Sequence, residues 1–316
     1  MVRIDEGMKA FGYPLEDDFS RKDSEQRFPD GAHYRIEISG IERLANMEVL
    51  AKEATRRGVP VHRLISMVGG PAQVASSEIK EMVALAAEQK YEVMVQISNG
   101  RGWDIHSMCT TEEGIWGGLY CKGMDQVYNL LKELERLYSL GIRGFLIFDA
   151  SVLRLIKRMK AEGYLPQDIV IKASVAAGTG SGLYAEMIEE MGATTLNPLA
   201  DITIPELATM RHMSNLPLDV YMTVVDSMGG MHRYHKAAEI ARVAAPVYFK
   251  FEPGDREGNI YKEYFPIEAQ NQLTVARVTQ AECMIEWIER YNPDLKCSPQ
   301  GPSDLQLCIP NKEILV

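Results

Sequence analysis

Short apolar runs alternate with helix-length amphipathic segments along most of the chain. The clearest case is 170–211, VIKASVAAGTGSGLYAEMIEEMGATTLNPLADITIPELATMR. An apolar run interrupted by Lys172 and Ser174 gives way to a loop holding Gly178, Gly180 and Gly182. An amphipathic segment then reaches Gly192. A second run, 194–196, leads through Asn197 and Pro198 into another helix-like segment. Parallel strands need crossovers of this kind.

The same alternation predicts strands over 33–39, 61–66, 92–98, 144–149, 218–225 and 247–251. Between them, helices are expected at about 46–57, from Ser76 or Ser77 to Gln89, and at 124–140, 151–162 and 234–244. Gly58, Gly141 and Gly163 stand where helices stop. With a last helix at about 271–290, the count is eight β-α units in roughly 250 residues, the size of a (β/α)8 barrel. A doubly wound sheet is the alternative, but its GxGxxG fingerprint is missing from the first β-α turn. The reading is therefore an N-terminal arm over 1–32, a barrel over 33–290 and a tail over 291–316 that wraps the outside. The arm is expected to cover the barrel bottom or a partner subunit. The connection 99–123, with Trp103, Trp116 and Tyr120, is expected to serve as a lid or an oligomer contact.

In a helix-covered parallel sheet the outer strand faces must be apolar, so the polar faces point to the barrel axis. That rule turns Arg35 and Glu37, Gln96, Asp149, Lys172 and Ser174, Asn197, Tyr221 and Thr223, and Lys250 and Glu252 inward. The second strand is ambiguous: His62 alternates with Leu64 and Ser66, and Arg63 with Val61 and Ile65. Barrel interiors are filled mainly by branched apolar side chains, so this many polar positions points to a ligand. A buried network in which Arg35, Lys172 and Lys250 neutralise Glu37, Asp149 and Glu252 is the competing structural explanation.

The overall charge narrows the partners. A net charge of -10 over 316 residues disfavours nucleic acid and anionic membranes, which need a basic face. No apolar run nears the roughly 20 residues of a membrane span, and MVRIDEGMKAFGYPLEDDFS lacks a signal-peptide core. A cytoplasmic homo-oligomer acting on a small molecule is the expectation. The five cysteines, Cys109, Cys121, Cys283, Cys297 and Cys308, form no CxxC pair and read as free thiols.

Two mechanisms suit these residue types. In the first, Glu37, Asp149 or Glu252 is a general base, while a lysine or Arg35 holds a carboxylate or enolate. In the second, Lys172 or Lys250 forms a Schiff base, as in lyases and aldolases. His62, Gln96, Arg101, Ser174, Asn197, Tyr221 and Thr223 would orient the substrate. No cofactor is expected, although Glu37, Asp149, Glu252 and His62 could supply oxygen and nitrogen ligands to a divalent metal. His232 and His235 have no intervening glutamate of the HExxH kind and read as a solvated helix face. A barrel that binds a metabolite without catalysis is the remaining class.

The segment MGATTLNPLADITIPELATMR, followed by PLDVYM, resembles the collagenase-like peptidase family of unassigned catalytic type. Asp149 after GFLIF is similar to that family's strand ending in aspartate. The resemblance implies a (β/α)8-type barrel and a peptidase-like hydrolase. Family branches with iron-sulfur clusters carry cysteines after the seventh-strand region. Here that region, VVDSMGGMHRYHKAAEI, has none, so no cluster is expected.

Overall fold

The computed structural model describes residues 2–97, 120–262 and 264–310. Helix α1 (Ile4–Ala10) precedes the barrel. Then β1 (Tyr34–Ile41), α2 (Leu44–Arg57), β2 (Arg63–Ser66), α3 (Ser76–Gln89), β3 (Glu92–Gln96), α4 (Met124–Ser139), β4 (Gly144–Ile147) and α5 (Ala150–Ala161) alternate. They continue as β5 (Val170–Ala173), α6 (Gly182–Glu190), β6 (Thr195–Leu196), α7 (Ile204–Met213), β7 (Leu218–Thr223), α8 (Ala237–Ala244) and β8 (Val247–Phe251). The short α9 (Glu257–Ile260) and the long α10 (Ile267–Tyr291) follow. The strands pair in parallel in sequence order, and β8 closes onto β1, giving the (β/α)8 barrel that the periodicity predicts.

Period-two alternation decides what each strand buries against the helices. Ile36, Ile38, Val93, Phe145, Val220 and Phe249 join Leu50, Ile79, Leu134, Ile188 and Val278 of the helices in one apolar cluster. Each such aliphatic or aromatic side chain stabilises the fold by roughly 1.5–3 kcal/mol. Local signals set helix ends. Gly58 closes α2 in the left-handed region at φ 68°, and Thr203 opens α7 in a reciprocal cap with Glu206. Helix α10 starts at Ile267, ahead of the expected 271, because Pro266 supplies its N-terminal boundary. It packs across α2 and α8.

The N-terminal ends of the strands are partly covered by segments from both chain termini. Ser24 Oγ donates to the Ala245 carbonyl at 2.6 Å, and Phe28 meets Tyr248 edge-on at 5.2 Å. Helix α1 buries no residue, so only the later part of the arm covers the barrel bottom. The tail, expected to wrap the outside, instead runs back across this end. Ser298 N donates to Tyr34 O at 3.1 Å, Leu307 bridges Glu92, and Ile309 N donates to Gly141 O at 3.0 Å. Strand N-termini leave backbone groups that need partners, and the tail supplies them. Among the described residues, no helix is long and apolar enough to cross a membrane.

Candidate active site

The barrel interior is divided. Strands β2, β3 and β4 contribute Ile65, Met94 and Leu146 to an inner apolar cluster. Charged and hydrogen-bonding groups come from β1 and β5 to β8, joined by Arg63 of β2 and by Glu92 and Gln96 of β3.

Midway along the axis lies a buried ionic square. Lys172 Nζ is 2.6 and 2.7 Å from the two Glu37 oxygens and 2.9 Å from Asp219 Oδ2. Arg63 Nε reaches Glu37 Oε2 at 2.5 Å, and its Nη2 donates to Asp219 Oδ1. Thr195 Oγ1 donates to Asp219 Oδ2 at 2.7 Å. Glu37, Lys172 and Asp219 are fully buried. Burial alone would raise the Glu37 carboxyl, but Arg63, Lys172 and Lys250 outweigh it and hold it down at about 2. Burial lowers the Lys172 ammonium to about 8 against the pull of Asp219 and Glu37. Both groups are thus ionised at neutral pH. Two cations face two carboxylates, so the square is neutral as a unit.

Toward the C-terminal ends of the strands, Lys250 organises a second cluster. Its ammonium lies 2.9 Å from Tyr221 OH, 3.0 Å from Asn197 Oδ1 and 3.2 Å from Glu252 Oε2. Asn197 is itself fixed, since its Nδ2 donates to Asp219 O at 2.7 Å. Burial opposes the Lys250 charge, but Glu252, Tyr221 and Glu37 raise its pKa well above the ordinary value. Lys250 is therefore a permanent cation. Tyr221 OH accepts from Lys250, which leaves its own proton to donate, and burial raises its pKa. Gln96 is buried on the same inward face as Met94, and its side chain makes no hydrogen bond among the described residues. Helix α10 sends Arg277 into this end, where Nη1 donates to Gly40 O at 3.2 Å. Burial lowers the Arg277 pKa, against the charges of Tyr261, Glu252 and Glu42. Gly40, at φ 72°, is required here because a Cβ would sit 2.6 Å from the guanidinium.

Five residues expected at this site lie elsewhere. Arg35 points to the axis at the N-terminal end, where it forks onto Asp304 at 2.7 and 2.8 Å and bonds Ser298 Oγ at 2.9 Å. His62 precedes β2 and pins the tail: Nδ1 accepts from Ile36 N at 2.9 Å, and Nε2 lies 3.0 Å from Ser298 O. Burial lowers its pKa to about 4, so the ring is neutral. Asp149 is off the axis because it alternates with the inward Leu146. It caps α5 through Ser151 N at 2.9 Å and accepts from Cys121 N at 3.0 Å. A register shift between Tyr221 and Thr223 turns Thr223 outward, toward Gln280 of α10 at 2.9 Å. Ser174 stays buried but caps the following turn through Ala176 N at 3.3 Å. The expected metal ligands Glu37, Asp149, Glu252 and His62 are consequently spread over both ends, and no group of three or more such donors converges among the described residues. Arg101, Trp103, Trp116 and Cys109 lie outside the described residues. The alternation rule missed Asp219, although it shares the inward face with Tyr221. It also passed over Glu92, on the face of Met94 and Gln96, and could not place Arg63.

No family model matches the chain, and neither does any curated protein. Solved structures do match in fold. The YdjI aldolase from Escherichia coli K12 is 13% identical, with a TM-score of 0.45 over 82% of this chain and 90% of that one. A putative fructose-1,6-biphosphate aldolase from Coccidioides immitis is 11% identical, with a TM-score of 0.49 over 83% and 92%. The U32 peptidase Mk0906 is 12% identical, with a TM-score of 0.43 over 73% and 97%. At these values the likenesses carry no argument about activity.

Proposed function

We propose that the chain is a (β/α)8-barrel enzyme that acts at the C-terminal mouth of the barrel on a small polar substrate bearing a carboxylate or amide. The observation that carries this reading is the Lys250 cluster: a permanent cation and a carboxylate 3.2 Å apart, with Tyr221 and Asn197 on the same ammonium. Active sites of such barrels are built at this end. Buried ion pairs stabilise less than apolar packing would, which favours a chemical use for the pair.

In this mechanism Lys250 receives a substrate oxygen. Glu252 takes a proton from the carbon beside the carbonyl, and the C–H electron pair moves toward the oxygen held by Lys250. Tyr221 is placed to return a proton. Elimination from the resulting anion gives lyase chemistry; activation of water by the same carboxylate gives hydrolysis, which agrees with what the resemblance of 170–221 implies. A Schiff base on Lys172 is favoured by its lowered pKa alone. It would require Lys172 to leave two carboxylates within 2.9 Å.

The test is a panel of small carboxylates and amides, read by thermal stabilisation and by mass-spectrometric turnover. Stabilisation is expected in wild type and lost in Lys250→Met. Glu252→Gln should bind but turn over about 10²–10⁴-fold more slowly. Equal stabilisation of Lys250→Met would overturn the reading, and binding without turnover in wild type would establish a non-catalytic barrel. Borohydride trapping of substrate on Lys172 would establish the Schiff base.

A further inference from the structure

A partly open cavity of about 550 Å³ is at the opposite end of the barrel from the proposed active site, within the roughly 300–1,000 Å³ range of small-molecule pockets. It lies among the N-terminal ends of the strands, between the arm and the tail. Arg35, Arg63, Glu92, Thr195 and Tyr248 line it from the barrel, and Asp304 from the tail.

Glu92 is the group without an explanation. It is 4% exposed, faces the cavity, and its carboxylate makes no hydrogen bond among the described residues. A buried carboxylate left unpaired costs free energy, so such a group points to a ligand. The surrounding charges say which kind. Asp304 and Asp30 answer Arg35, whereas Glu37 and Asp219 answer Arg63 and Lys172. With Glu92, five carboxylates face three buried cations. Arg27 also lines the cavity, but it is exposed and donates to the carbonyls of Ser24 and Gln26. The rest of the wall mixes neutral hydrogen-bonding groups, Thr195, Asn215, Gln26 and Gln306, with apolar Phe28, Pro29, Val170, Pro217 and Pro246.

We infer that this cavity binds a small molecule carrying one ammonium group on an otherwise uncharged body, with the Glu92 carboxylate as partner of the ammonium. The inference is independent of the reading of the Lys250 cluster. The groups facing Glu92 are Arg63 from β2, Arg35 and Glu37 from β1, Asp219 from β7, Tyr248 from β8 and Cys308 from the tail. Burial pushes the Glu92 carboxyl up to about 7, with Asp219 and Glu37 adding to the effect and Arg63 and Arg35 opposing it.

Calorimetric titration of the full chain with 4-amino-1-butanol, and with the neutral analogue 1,4-butanediol at equal ionic strength, tests it. The amine is expected to bind at least tenfold more tightly than the diol at pH 8. Its affinity should fall about 30-fold by pH 5.5, as Glu92 takes up a proton. Glu92→Gln should abolish amine binding while melting no lower than wild type. Asn215→Trp, at the exposed rim, should obstruct entry and weaken binding in a chain whose carboxylate is intact. No binding of the amine by wild type, equal binding of the diol, or undiminished amine binding by Glu92→Gln would each overturn the inference.

Discussion

Replacing Lys172 with methionine removes one of the two cations from the ionic square and leaves Arg63 facing Glu37 and Asp219. All three contacts of the ammonium lie at 2.6–2.9 Å in a fully buried site, so water cannot substitute for them. Breaking one partner of such a unit costs about 3–5 kcal/mol, because a charge is stranded in low dielectric. For 316 residues the unfolding entropy is roughly 0.7 kcal/mol per degree. A loss of about 4 kcal/mol therefore lowers Tm by about 6 °C. Adding Glu37→Gln restores neutrality, since Arg63 and Asp219 remain paired. The double variant should be more stable than the sum of the single effects predicts, by about 2–3 kcal/mol. Calorimetry of the four proteins at pH 7.5 gives the cycle. A Lys172→Met variant within about 1 kcal/mol of wild type, or additive effects, would refute the ionic square as a coupled unit.

Other consequences follow from single residues. Glu92 has a folded pKa of about 7, above its unfolded value, so its protonated form favours folding and stability is lost as pH rises from about 4.5 to 7. Glu92→Gln should remove that loss and be more stable than wild type by about 3 kcal/mol at pH 8, read by urea unfolding. His62 has the opposite dependence: the unfolded state binds a proton that the native ring, with a pKa of about 4, refuses. Stability should fall by about 3 kcal/mol between pH 6.5 and 4, and His62→Gln should flatten that part of the curve. Gly40→Ala should cost about 1–3 kcal/mol in denaturant titration, from the positive φ and the close approach of Arg277.

The barrel was legible because strand alternation and helix stops recur in one order along the chain. Period two also identified the inward faces of β1, β5 and β8, and hence Glu37, Lys172 and Lys250. Alternation says which side a residue takes, not how far along the axis it sits. Arg35 and Lys250 are both inward, yet strand register puts them at opposite ends. Asp149 fell to an error of parity against Leu146, and Thr223 to a register shift that no residue type announces. Asp219 and Glu92 carried a usable signal, as they share faces with Tyr221 and Met94. The path of the tail was hidden because it has neither period, and its anchors, Arg35 and His62, are polar groups that equally suit an active site.

The most direct measurement is a crystal structure of the protein soaked with the best carboxylate or amide from the panel. The account predicts ligand density within hydrogen-bonding distance of Lys250 Nζ, with a hydrogen-bearing carbon or the scissile group turned to Glu252. Density confined to the N-terminal cavity, with the Lys250, Tyr221, Asn197 and Glu252 contacts unchanged, would contradict it.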